Sequence, residues 1–129
     1  MIFLSRIKIN TIIYSYDTDI YKIFKGVTFR SNEINKFEYK SYKNYFVFYA
    51  SKIKNYFDEF FGFLKELVNI ESIYVNEIII IKDFQDLNTI QQNVLKSFFT
   101  KRLFILITNK HGMINRNILS YFVTYTKVK

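Results

Sequence analysis

Two apolar runs, "EIIIIK" at 77–82 and "RLFILITN" at 102–109, flank a patterned helix and constrain the fold more than any other feature. Successive side chains of a strand point to opposite sides, so a run apolar at every position is stable only where both faces are covered. The pair predicts central strands of a sheet with helices packed on each side. Both runs end on polar pairs, Lys82-Asp83 and Thr108-Asn109. In open α/β sheets ligands bind outside the carboxyl ends of the strands, so these pairs mark where a site belongs.

The rest of the chain alternates in the same sense. "MIFLSRIKI" at 1–9 reads as a strand, followed by a short helix at 17–26 that Asp17 can cap and Gly26 can end. "VTF" at 27–29 and "KFEYKSYKNYFVFYAS" at 36–51 read as extended, because aromatics and Val suit a pleated surface, and the polar "KSYKN" reads as a hairpin turn. Residues 51–69 are the clearest helix: Ile53, Tyr56, Phe57, Phe60, Phe61, Leu64, Leu67 and Val68 recur at helical spacing, with charged residues opposite. Asn88 can cap a helix that buries Ile90, Val94, Leu95, Phe98 and Phe99. A short helix at 114–120 and a strand at 121–127 complete the pattern. Strands alternating with helices predict an α/β fold with a mostly parallel, three-layer sheet, in one domain spanning 1–129.

Composition narrows the chemistry. Half the 129 residues are hydrophobic and a fifth are aromatic, enough to fold around a core. With no Cys, disulfides and thiolate metal sites are excluded, and a reducing compartment is expected. His111 is the single histidine, too few for a His-based zinc site, and reads as a surface loop residue. No apolar run approaches the roughly 18 residues of a membrane span, and Arg6, Lys8 and Asn10 interrupt the start too early for a secretory core, so an intracellular protein without a membrane partner is expected.

Charge is distributed unevenly. All eleven acids lie at or before Asp86, where twelve Lys and Arg nearly balance them; after Asp86 come seven bases and no acid. A basic C-terminal third favours polyanions, nucleic acid above all, through counterion release.

The run "IIIIKDFQDLNTIQQNVLKSFFTKRLFILITNKHGMINRNILSYFVTY" resembles clamp-loader AAA+ subunits, the replication factor C small subunits and the bacterial delta-prime subunit, from the Walker B strand through sensor 1 to the arginine-finger motif. The upstream "KFEYKSYKNYFVFYASKIKNYFDEFFGFLKELV" is similar to the hairpin and helix before the Walker B strand, so the likeness covers about 36–127. It implies a P-loop-NTPase-like core, here without the helical lid. It also implies roles for five positions. The magnesium-holding Asp falls on Lys82 and the water-orienting Glu on Asp83; the sensor residue is Asn109; the finger motif falls on Ser120 and Tyr121. No G-x-x-x-x-G-K-[ST] loop occurs, and Gly26, Gly62 and Gly112 lie far apart. Since phosphoryl transfer in this class rests on those parts, neither ATPase activity nor a cofactor is expected.

What the resemblance leaves is binding: in clamp loaders the helices before and after the Walker B strand point their N-termini at the DNA backbone. In this chain those starts are Ser51, Lys52 and Lys54, then Asn88, Thr89 and Gln92, with Lys101, Arg102 and Lys110 as a second candidate surface. The reading that follows is an inactive clamp-loader-like subunit contacting DNA or replication partners. The alternative is a small basic RNA-binding protein of ribosomal type from an AT-rich genome, whose aromatics stack on bases.

Overall fold

The computed structural model describes residues 3–16, 19–24, 26–34, 37–69, 77–109 and 114–128. In chain order, a 3₁₀ turn at Leu4–Arg6 precedes β1 (Thr11–Ser15), α1 (Ile20–Ile23), β2 (Arg30–Ile34), β3 (Phe37–Tyr42) and β4 (Tyr45–Tyr49). Next come α2 (Ala50–Ile53), a 3₁₀ turn at Lys54–Tyr56, α3 (Phe57–Asn69), β5 (Ile78–Lys82) and a 3₁₀ turn at Phe84–Asp86. The chain continues through α4 (Thr89–Val94), a 3₁₀ turn at Leu95–Phe98, β6 (Leu103–Thr108), α5 (Arg116–Leu119) and β7 (Val123–Val128).

The fold is α/β, built on one sheet in the order β2-β3-β4-β5-β6-β1-β7. β4, β5, β6, β1 and β7 are mutually parallel, while β2 and β3 add an antiparallel edge, so the sheet is mixed. Ile78 to Lys82 aligns with Tyr45 to Tyr49 on one side and Leu103 to Ile107 on the other. The two apolar runs are therefore neighbours inside the sheet, which is why neither has a polar face.

Apolar cores line both faces. On one, Ile12, Ile79, Ile81, Phe104 and Leu106 meet Ile53, Phe60, Leu64, Val68, Leu95 and Ile118 from the helices. Phe48 and Phe60 pack edge to face at 4.9 Å, as do Phe99 and Phe104, the arrangement that ring quadrupoles favour. On the other face, Ile13, Val47, Ile80, Ile105 and Ile107 meet Leu4, Ile20, Ile23, Phe24 and Phe29 from the N-terminal segment. Asn10 joins the amino ends of these strands. Its Nδ2 donates to the Phe99 carbonyl at 2.7 Å, its Oδ1 accepts from Phe104 N at 2.8 Å, and its carbonyl accepts from Val123 N.

Several expectations are corrected. Among the described residues of 1–9 there is no strand: Leu4–Arg6 is a 3₁₀ turn and Ile9 is exposed. The strand is Thr11–Ser15, whose uninterrupted apolar centre fits between β6 and β7. Nor is 27–29 a strand; Phe29 plugs the second core, and β2 begins at Arg30, in register with β3. Asp17 and Gly112 lie outside the described residues. Gly26 adopts φ +72, a left-handed turn beyond α1 that suits glycine. The 51–69 helix begins at Ala50 and tightens through the 3₁₀ turn, which leaves Tyr56 exposed. On α4, Leu95 is buried as expected, but Ile90 is 74% and Val94 40% exposed. The buried Gln92 occupies the inward position of that helix, so the apolar pair faces outward.

Candidate nucleic-acid interface

At the carboxyl edge, β5 ends on Lys82, only 2% exposed, whose Nζ donates to Asp83 Oδ1 at 3.1 Å. A buried ammonium is stable only with such a partner, because desolvation of an unpaired charge is prohibitive. Asp83 has φ 57 and ψ 44, a left-handed conformation uncommon for residues other than glycine, and turns the chain into the 3₁₀ segment at Phe84–Asp86. On the adjacent strand the Thr108 hydroxyl donates to Gln85 Oε1 at 2.8 Å in the interior. Asn109 Oδ1 is buried without a hydrogen-bond partner.

These residues do not fit a metal-bound nucleotide. An ammonium at position 82 repels the cation that a carboxylate there would hold, and Asp83 is neutralised by that ammonium. Among the described residues there is also no cluster of three His, Cys, Asp or Glu that could hold a metal ion.

Both candidate helices start from this edge, α2 after β4 and α4 after β5. α2 follows β4 directly, with Tyr49 rather than a small polar residue at the cap position and no side-chain capping bond; Ser51 lies inside the helix and is exposed. Lys52 Nζ pairs with Glu38 at 3.0 Å and lies 5.6 Å from the centre of the Tyr49 ring. Lys54 is exposed in the 3₁₀ turn. α4 starts with a complete capping box: Asn88 Oδ1 accepts from Gln91 N at 2.8 Å, and Gln91 Oε1 accepts from Asn88 N at 3.1 Å. Gln91 Nε2 then donates to the Lys54 carbonyl at 2.9 Å. This hydrogen bond ties the first turn of α4 to Lys54, the residue that ends α2.

Other candidates have different roles. Gln92 is buried, donating to the Leu87 carbonyl at 2.9 Å and accepting from Asn115 N at 2.8 Å, so it ties α4 to the α5 approach and is withdrawn from any ligand. Beside it a cleft of about 550 Å³ opens between Asn88, Thr89 and Arg116. Arg102 is a structural clamp: Nε donates to Glu77 at 3.0 Å, Nη2 to the Val68 carbonyl at 2.8 Å and Nη1 to the Lys101 carbonyl at 2.8 Å. It neutralises a buried acid and satisfies an orphan carbonyl near the end of α3. Lys101 is exposed beside it at the amino edge of β6, on the opposite side of the sheet from Asn109. Ser120 and Tyr121 are exposed beyond α5, with the Tyr121 ring 5.8 Å from that of Phe99. Lys110 and His111 lie outside the described residues.

Gln91 and Tyr49 are the contributors that sequence reasoning missed as site residues. The spacing of Asn88 and Gln91 signals a capping box, but the reach of Gln91 to Lys54 spans 37 positions and has no local signature. No helix of the described residues is long and apolar enough to cross a membrane. No protein-family model matches the chain, and a comparison with curated proteins finds no significant match.

Proposed function

We propose that this domain is a catalytically inactive, clamp-loader-like module that binds DNA at the carboxyl edge of its sheet, as a structural or regulatory component alongside replication subunits. The observation that carries the reading is the Gln91–Lys54 hydrogen bond, which ties the start of α4 to the end of α2, beside the exposed Lys54 side chain. Helix dipoles and first-turn N–H groups attract phosphate, and Lys54 adds an exposed cation there. The buried Lys82–Asp83 pair supports the inactive half of the reading, since it fills the position of a metal ligand with a cation of its own. On this reading the P-loop-NTPase-like core is a scaffold and ATP is not hydrolysed.

The test is capture of the tagged protein from its native cell with and without nuclease, read by mass spectrometry, together with nucleotide turnover by the purified chain. Clamp-loader, sliding-clamp or polymerase subunits and no turnover are expected. Ribosomal proteins lost on RNase treatment, or turnover abolished by Asp83→Ala, refute the proposal.

A further inference from the structure

The β3–β4 hairpin carries a surface that adjoins the helix-start site at Tyr49 and Lys52 and extends beyond it through Lys40, Tyr42, Lys43 and Tyr45. Register sets Tyr42 opposite Tyr45, Lys40 opposite Val47 and Tyr49 opposite Lys82 of β5. Strand alternation then puts Lys40, Tyr42, Tyr45 and Tyr49 on one face, next to the fully buried Val47. All three tyrosines pack one side against the second core and stay partly exposed on the other. Their rings are thus held in place before any ligand arrives. Tyr42 and Tyr45 are near-parallel, 26° apart, with centroids 6.3 Å from each other.

Cations are interleaved with these rings. Lys43, in the two-residue turn at φ 52, lies 5.3 Å from the Tyr42 ring, while Lys40 and Lys52 lie 5.6 Å from that of Tyr49. Glu38 on this face is paired with Lys52, and Glu33 stands at the outer strand. From Tyr45 to Tyr49 the strand runs about 13 Å, roughly the rise of four stacked nucleotides. Half-buried aromatic rings alternating with lysines are the chemistry that holds single strands, because every base offers a π-face and every phosphate a charge.

We propose that this face is a stacking platform for the unpaired strand of DNA, with Tyr42, Tyr45 and Tyr49 receiving bases and Lys40 and Lys43 receiving phosphates. The choice of DNA rests on the proposed function; the stacking chemistry does not. The test is fluorescence anisotropy of a labelled oligothymidylate with the full chain. Tyr42→Leu with Tyr45→Leu should weaken binding about tenfold or more, whereas the corresponding Phe pair should stay within about twofold, since it keeps the rings. Lys40→Gln with Lys43→Gln should lower the salt slope by about 1.4. Wild-type affinity in a folded Leu pair, or no oligothymidylate binding by the wild type, overturns the platform. Tighter binding of oligouridylate overturns the assignment to DNA. The two proposals separate cleanly: oligothymidylate binding without primer-template binding sinks the proposed function and sustains the platform, and the reverse sinks the platform alone.

Discussion

Lys82 Nζ lies 3.1 Å from Asp83 Oδ1 at the end of the central strand, with the lysine side chain 3% exposed and the aspartate 29%. The pair is asymmetric: one charge is enclosed, the other reaches water. Removing the enclosed charge and removing its partner therefore have different consequences.

Lys82→Met, which keeps the volume and discards the charge, should leave unfolding free energy within about 1 kcal/mol of wild type or raise it. Asp83→Asn strands the ammonium and should cost about 2 kcal/mol, less than a fully enclosed pair because Asp83 is partly solvated. Asp83→Ala should cost about 1 kcal/mol more, since alanine does not tolerate the left-handed backbone. Urea denaturation measures all three; a Lys82→Met protein less stable than Asp83→Asn would contradict the assignment.

Arg102 and Lys101 are neighbours in sequence with unequal expected effects. Arg102→Met leaves Glu77 and the Val68 carbonyl without their donor and should cost about 3 kcal/mol. Lys101→Ala should change stability by less than about 0.5 kcal/mol. Equal effects in thermal or chemical unfolding would show that Arg102 is not the clamp.

On α4 the amide matters to the fold more than the aliphatics. Gln92→Leu removes hydrogen bonds to Leu87 and Asn115 and should destabilise by about 2 kcal/mol. Ile90→Ala and Val94→Ala, at exposed positions, should each stay within about 0.5 kcal/mol of wild type. Hydrogen exchange at the α5 approach should rise in the Gln92 variant alone.

The parts of this fold legible in the sequence are those fixed by local pattern. Unbroken apolar runs with no polar face mark β5 and β6; the helical stripe through Ile53, Phe60, Leu64 and Val68 marks the long helix; "KSYKN" marks the hairpin; Asn88 marks its cap. The parts missed depend on partners distant in the chain. β1 is set by the gap between β6 and β7, which Thr11–Ser15 fills, while the apolar Leu4 and Ile7 pack into the second core from outside the sheet. Ile90 and Val94 turn outward because Gln92 finds two backbone partners inside, a preference that a hydrophobic pattern does not express. In the candidate site, the polar strand ends and helix starts were visible, but the Gln91 link was not. Charge marks Lys101 and Arg102 alike, but only Arg102 is drawn inward, because Glu77 and the Val68 carbonyl, 25 and 34 positions away, receive its guanidinium.

The central claim is that DNA is held at the start of α4 and the exposed lysines of the adjoining α2 segment, Lys52 and Lys54. Its most direct test is the salt dependence of primer-template DNA binding by the wild type and by Lys52→Ala with Lys54→Ala. The account predicts binding whose slope of log K against log salt falls by about one to two units in the variant, uniformly across sequences. An unchanged slope in the folded variant, or a wild type that does not bind primer-template DNA, contradicts it.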